Sequence, residues 1–136
     1  MISLSSLLET SYQIPNLDYL ILFKVIKQIS NRTEDLYDAF KRMCFNILYK
    51  NKDDHGNNFA FIYDDLYKSY VLSPFYDITS TKDKLEHEMT LLGKGNPNSE
   101  DIIESISKIG LDRNKCLDIL NNVKSILSTV NNVGNF

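Results

Sequence analysis

The chain lacks long apolar runs, and its apolar stretches, such as Leu20 to Phe23, are far too short to span a membrane. Its N-terminus has no basic segment followed by an apolar run, so no signal peptide is expected. Basic residues do not outnumber acidic ones, and the net charge of −3 provides no basic footprint for nucleic acid. These absences predict a cytoplasmic protein that binds neither membranes nor, directly, nucleic acid.

Cysteine is scarce as well, with two residues, Cys44 and Cys116. Both lie in apolar helical patterns, which favours buried free thiols over a disulfide or a metal site. A zinc site at His55 would need three or four His, Cys or carboxylate ligands at defined spacing, and His87 is remote in sequence. We therefore interpret His55 as a residue that braces its loop through hydrogen bonds.

The length of 136 residues and a hydrophobic fraction of 43% predict one domain over residues 1–136 with a buried core. Apolar residues recur at helical spacing in four segments, which begin near Leu17, Thr33, Ser99 and Asp112. Thr33, Ser99 and Asp112 are predicted N-caps, and Gly110 suits the C-terminal end of the third helix. The polar face of the second helix is predicted to carry Glu34, Asp38, Lys41 and Arg42. Residues 59–63 and 70–72 are typical of two strands in a small hairpin. The sequence thus predicts a mainly α fold with one short β-hairpin and a frayed tail over residues 131–136.

Two loops carry the side chains best suited to chemistry. Asp53 and Asn58 lie five positions apart between a helix and a strand, and Asp77 follows the hairpin after Pro74-Phe75-Tyr76. Protein kinases use an Asp and an Asn at this interval, then a later Asp, to accept a proton and to hold Mg²⁺ on phosphates. Taken alone, residues 53–58 would more often be a solvated turn. The amphipathic helix before them and the short apolar hairpin after them favour a site.

Phosphate-binding glycines are largely missing. No glycine precedes Gly56. The segment from Gly93 to Pro97 lacks a preceding strand and the G-x-x-x-x-G-K-[ST] spacing of a phosphate loop, so it predicts a turn.

At these motifs the chain resembles the C-terminal lobe of the HipA family of serine/threonine kinases, the toxins of HipB–HipA type toxin–antitoxin modules. The resemblance runs over almost the whole chain and is carried by residues 44–48, 53–61 and 72–78. It implies a helical, kinase-like C-terminal lobe whose hairpin carries the catalytic and metal loops.

By this resemblance, Asp53 corresponds to the catalytic base, and Asn58 and Asp77 correspond to the Mg²⁺ ligands. His55 and Tyr76 lie in the stretches that line the nucleotide, ATP. Asn57 stands where the family often has a basic residue, so this position offers no charge to the phosphates.

The function implied is the catalytic and Mg²⁺-binding half of an ATP-dependent kinase for a protein substrate. Without a Gly-rich loop or a nucleotide lysine, it would need an N-terminal lobe from another chain or from a missing segment. The alternative is a non-catalytic lobe that binds a HipB-like antitoxin or another partner chain. We also expect an exposed apolar surface for the other lobe, with Leu17 to Phe23 and the hairpin residues Phe59 and Phe61 as candidates.

Overall fold

The computed structural model describes residues 2–3, 18–49, 59–73 and 89–134, which form four helices and a three-stranded sheet. The helices are α1 (Tyr19–Ile29), α2 (Glu34–Leu48), α3 (Ser99–Ile109) and α4 (Arg113–Gly134). The strands are β1 (Ile2–Ser3), β2 (Ala60–Asp64) and β3 (Ser69–Leu72). The predicted mainly α fold with a short hairpin is confirmed.

The sheet has the order β1-β2-β3, and both pairs of strands are antiparallel. In the hairpin, Phe61 is paired with Leu72 and Asp64 with Ser69. The turn is closed by the Asp64 side chain, whose Oδ1 accepts a hydrogen bond from the Leu66 N–H at 2.8 Å. Ile2 pairs with Phe61 on the other edge of β2. The sequence did not predict this first strand, because two residues are too few to show an alternating pattern.

Polar residues fix the starts of three helices. Asp18 caps α1 by accepting a hydrogen bond from the Leu20 N–H at 2.9 Å. Asn98 caps α3 and forms a capping box with Asp101, so the predicted cap, Ser99, is instead the first helical residue. Asp112 caps α4 as predicted, accepting from the Asn114 N–H at 3.0 Å.

The remaining helix boundaries agree with the predictions in part. Thr33 occupies the N-cap position of α2, but its side chain makes no capping hydrogen bond. Gly110 ends α3 in the left-handed conformation, with φ of 86°, as expected for a C-terminal glycine. The backbone of α4 stays helical as far as Gly134, within the segment for which the sequence predicts fraying.

The core is centred on α2, which contacts the other three helices and β3. Its apolar face, with Ala39, Phe40 and Met43, is fully buried. The largest buried side chains around it are Tyr19, Phe23, Phe59, Phe61, Leu22 and Ile26. The expected docking surface is therefore wrong for Tyr19, Leu22, Phe23, Phe59 and Phe61, which are buried in the core of this chain. Leu20 and Ile21 are partly buried against that core, and Leu17 lies outside the described residues.

None of the helices in the described ranges combines the length and the apolar character needed to cross a membrane.

Cys44 and Cys116 are both buried free thiols, as predicted. Burial raises the pKa of the Cys44 thiol to about 12, with a smaller contribution from Cys116 nearby. Burial likewise raises the pKa of the Cys116 thiol to about 11, and Asp112 adds to the effect. Both groups therefore remain protonated and unreactive at neutral pH in the folded chain.

The first prediction concerns these thiols. At pH 8, a thiol reagent should label the folded chain on the order of a hundred-fold more slowly than the urea-unfolded chain. Because the unfolded thiols ionise near pH 8.5 and the folded ones near 11 to 12, the free energy of unfolding should fall as the pH rises through this window. Labelling at equal rates in both states would contradict the burial.

Candidate functional site

All five residues that the sequence predicts for the site lie outside the described residues: Asp53, His55, Asn58, Tyr76 and Asp77. The structure instead describes the residues on either side of the two segments that contain them. We call residues 50–58 the first arm and residues 74–88 the second arm. The first arm lies between Tyr49 at the end of α2 and Phe59, and the second arm lies between Ser73 and Met89.

The hairpin places the end of the first arm beside the start of the second. The Ser73 N–H donates a hydrogen bond of 2.8 Å to the Ala60 carbonyl oxygen, which continues the β2–β3 register by one residue. Phe59 and Ser73 are therefore neighbours at the same end of the hairpin. One end of each arm therefore joins the hairpin at this point.

The other end of the second arm is attached to the start of α1. The Tyr19 N–H donates a hydrogen bond of 2.8 Å to the Thr90 carbonyl oxygen. The Asp18 carboxylate also accepts from the Thr90 hydroxyl and from the Gly93 N–H, each at 2.8 Å. Tyr19 in turn contacts Phe59 edge to face, with ring centroids 6.0 Å apart. The second arm therefore leaves and rejoins the domain on the side where the first arm ends.

The predicted turn over Gly93 to Pro97 is confirmed in part, because the tight turn of the structure spans Leu91 to Lys94 and begins two residues earlier. Leu91 and Lys94 exchange backbone hydrogen bonds of 2.9 and 3.1 Å. Leu92 and Gly93 between them both have positive φ, as in the tight turns that join antiparallel segments. The Lys94 ammonium donates to the Asp101 carboxylate at 2.7 Å, which ties this turn to the start of α3.

A buried carboxylate fixes the last residue of β3. Asp35 has a fully buried side chain and accepts a hydrogen bond of 2.7 Å from the Leu72 N–H. Arg32 pairs with Asp35 through Nε at 2.7 Å and donates from Nη2 to the Leu72 carbonyl oxygen at 2.9 Å. The Ser30 hydroxyl supplies a further donor to Asp35 at 2.7 Å. Both backbone polar groups of Leu72 are thus held by side chains at the start of α2.

Arg42 of α2 contacts Phe59 and Ser73, the described residues that flank the two arms at the hairpin. Its Nη2 donates a hydrogen bond to the Ser73 carbonyl oxygen. Its guanidinium carbon lies 5.6 Å from the centre of the Phe59 ring, within the range of a cation–π contact. Burial lowers the pKa of the Arg42 guanidinium from its ordinary value, while Asp38 and Asp35 favour the charged form. An arginine keeps its charge at neutral pH even so.

Asn46 lies one turn along α2 from Arg42 and contacts Tyr19, whose ring packs against Phe59. Its side-chain amide donates to the Tyr19 hydroxyl at 3.1 Å. Phe59 itself is 1% exposed. Phe59, which directly follows Asn58 in the chain, is therefore held between Arg42, Tyr19 and the core.

Sequence reasoning missed Asp35 and Arg42, and it assigned Arg42 to the polar outer face of its helix. That assignment is wrong, because Arg42 is half-buried against Phe59 and Ser73. One signal was available. Asp35, Ala39, Arg42 and Asn46 recur at i, i+4, i+7 and i+11 and so share one stripe of α2. In this structure, Asp35 and Arg42 on that stripe bond backbone polar groups of Leu72 and Ser73.

The chain is similar to known proteins in two respects. The family described as "HipA-like C-terminal domain" matches residues 1–130. The chain is also 33% identical over 60 residues to "Putative kinase Y4mE" from Sinorhizobium fredii (strain NBRC 101917 / NGR234). That alignment covers 43% of this chain and 14% of the relative, so the match spans a small part of the relative's length.

Proposed function

We propose, from the premise that this chain belongs to the family of HipA-like C-terminal domains, that it carries the catalytic and Mg²⁺-binding half of an ATP-dependent protein kinase. In this proposal Asp53 is the base, and Asn58 and Asp77 hold Mg²⁺. His55 and Tyr76 lie against the nucleotide. The substrate is a serine or threonine hydroxyl of a protein.

One observation carries the proposal: the two arms join the domain side by side. Asn58 is bonded directly to Phe59, and Asp77 follows Ser73 by four residues. Four extended residues reach about 14 Å at most, so Asp77 stays close to the point where Asn58 enters the hairpin. The two proposed ligands can therefore meet at one ion without crossing the domain.

The donor set suits the ion. Mg²⁺ prefers oxygen ligands and binds proteins through one or two carboxylates together with substrate phosphates. An Asn amide oxygen and an Asp carboxylate are the pair that protein kinases use for this purpose. When bound, Mg²⁺ would neutralise negative charge on the phosphates of ATP.

The role proposed for Asp53 is to orient the substrate hydroxyl and accept its proton. The hydroxyl oxygen then forms a bond to the γ-phosphorus, and the bond from that phosphorus to the β–γ bridging oxygen breaks, so that ADP leaves. The phosphoryl group ends on the substrate oxygen and the proton on Asp53. A positioned general base of this kind contributes about 10² to 10⁴ in rate.

The clamp over the phosphates is proposed to come from elsewhere. Kinases cover the phosphates with a Gly-rich loop and pair a strand lysine with a helix glutamate. No glycine precedes Gly56 in this sequence, so we assign these groups to an N-terminal lobe outside the 136 residues. A HipB-like antitoxin is a further proposed partner of the assembled protein.

The second prediction tests this division. The 136-residue chain alone should transfer no measurable γ-phosphate from ATP, because half of the positioning groups are absent. Supplied with the N-terminal lobe of a full-length family member, fused or in trans, it should phosphorylate itself or a protein. An Asp77→Ala chain supplied with the same lobe is the control and should remain inactive. Strong autophosphorylation by the isolated chain would contradict the division.

The alternative function is a non-catalytic binding module, and one feature of the hairpin favours it. Tyr63 and Tyr70 lie on the outer face of β2 and β3, 55% and 44% exposed, with ring centroids 5.7 Å apart. Leu66 at the turn is 84% exposed. Exposed tyrosines are typical of residues that dominate protein–protein binding. If the alternative holds, the chain supplied with the N-terminal lobe of a family member binds that lobe but transfers no phosphate from ATP.

A further inference from the structure

We propose that the segment between α1 and α2 covers the free edge of β3 and so prevents this strand from pairing with β3 of a second copy of the chain. We call residues 30–35, the connection between the two helices with the first residues of α2, the edge cover. Its role is independent of the kinase activity proposed above, because it lies in bonds between side chains of the edge cover and the backbone of the hairpin.

β3 is an edge strand, since the sheet has the order β1-β2-β3. Alternate residues of an antiparallel strand direct both the N–H and the carbonyl towards the neighbouring strand. The Ser73 N–H donates to the Ala60 carbonyl oxygen, so residue 73 faces β2. By alternation, Leu72 and Tyr70 direct their backbone groups to the outside of the sheet. A row of such groups is a template on which another strand can pair.

At Leu72 the edge cover makes the bonds that a fourth strand would make. The Asp35 carboxylate accepts from the Leu72 N–H at 2.7 Å, and Arg32 donates from Nη2 to the Leu72 carbonyl oxygen at 2.9 Å. A neighbouring antiparallel strand supplies one acceptor and one donor to such a residue. Here an ion pair, with Arg32 Nε 2.7 Å from the Asp35 carboxylate, supplies both.

Asn31 extends the edge cover towards the hairpin turn. Its N–H donates to the Ser69 hydroxyl at 3.0 Å, and its side-chain amide donates to the Tyr67 carbonyl oxygen at 3.1 Å. The guanidinium carbon of Arg32 also lies 5.7 Å from the centre of the Tyr67 ring. The edge cover therefore contacts the first residue of β3, the last residue of β3 and the turn before it. Another strand could not pair with this edge without displacing these bonds.

A second copy of the chain is the partner that fits this edge once it is uncovered. A two-fold axis at Val71 places Tyr70 of one copy opposite Leu72 of the other. The outward groups of these residues then form two pairs of antiparallel hydrogen bonds. The strand itself, Ser69-Tyr70-Val71-Leu72, contains no charged residue and no proline, and it is rich in residues that favour strands. Proteins often keep such an edge from pairing by covering it with a loop.

The test compares variants of the 136-residue chain by size-exclusion chromatography with light scattering. Arg32→Leu removes the donor to the Leu72 carbonyl, and Arg113→Leu makes the same exchange at an exposed position of α4 as the matched control. The native chain and Arg113→Leu should remain at 15.7 kDa. Arg32→Leu should approach twice that mass as the concentration rises. Its self-association should be on the order of a hundred-fold stronger, as a few added hydrogen bonds would give.

Two further changes, each made in the Arg32→Leu chain, distinguish strand pairing from association through exposed apolar surface. Tyr70→Pro removes the outward N–H, which the β2–β3 ladder does not use, and proline is accepted at such positions of edge strands. Tyr70→Ala removes the ring, which is 44% exposed, but keeps the N–H. Tyr70→Pro should restore the monomer, whereas Tyr70→Ala should leave the dimer in place.

Three results would overturn the proposal. The first is an Arg32→Leu chain that is folded, as judged by its amide spectrum, and remains monomeric. The second is a dimer that persists with Tyr70→Pro, since the association would then not use the edge of β3. The third is a native chain that associates as strongly as Arg32→Leu. If Arg32→Leu does not fold, Arg32→Gln, which shortens the side chain and removes its charge, serves in its place with the same expected results.

Discussion

Replacing Asp53 with alanine should reduce the rate of phosphotransfer on the order of a thousand-fold when the chain is supplied with an N-terminal lobe, since the proton acceptor is lost. The same change should alter the free energy of unfolding by no more than about 0.5 kcal/mol, as is usual for a carboxylate in the solvated loop that the sequence predicts there. Initial rates with γ-labelled ATP and urea unfolding of the isolated chain measure the two effects separately.

Asp54→Ala is the matched control, because it removes the carboxylate that is adjacent to Asp53 in the sequence. Its rate should stay within a few-fold of the unmodified chain, since the proposal gives Asp54 no part in the proton transfer. Normal turnover by the Asp53 variant would show that Asp53 is not the base. Equal losses in both variants would point to a general charge effect of the loop.

Replacing Asp35 with alanine should have the largest effect on folding. The substitution leaves the Leu72 N–H, the Ser30 hydroxyl and the Arg32 guanidinium without their shared acceptor in a buried site. Breaking a buried, hydrogen-bonded charge pair by removing one partner costs about 3 to 5 kcal/mol. That is a large share of the total stability of an ordinary domain.

Urea unfolding of the two variants Asp35→Ala and Asp38→Ala measures this effect. Asp38 lies on the same helix but is exposed, so its loss should change the free energy of unfolding by less than about 0.5 kcal/mol. A small change for Asp35→Ala, similar to that of Asp38→Ala, would show that the buried network does not stabilise the hairpin against α2.

Local patterns predicted the elements of this fold but not the contacts between them. The apolar spacing along α2, with Phe40, Met43 and Ile47, was a reliable sign of a helix because burial on one face imposes that spacing. Gly110 and Asp112 marked helix ends through their own backbone and side-chain chemistry. The family expected from the motifs was confirmed by the match over residues 1–130.

Features that depend on tertiary contacts could not be predicted from local sequence patterns. Charge alone placed Arg42 on the solvent side, whereas its position depends on Phe59 and Ser73, which are distant in sequence. The apolar residues of α1 were equally suited to a core and to a docking surface, and the structure shows that they form the core. The residues of the candidate site were predicted from motif spacing, and they remain predictions because they lie outside the described residues.

Magnesium-dependent contact between ATP and both arms tests the central claim most directly. The 136-residue chain would be titrated with ATP, with Mg²⁺ or with EDTA, while the amide resonances of Asn58 and Asp77 are followed. The account predicts weak binding in which both resonances shift along one curve with Mg²⁺, do not shift with EDTA, and no longer shift in Asp77→Asn. Shifts that persist in EDTA, or that involve only one of the two arms, would contradict it.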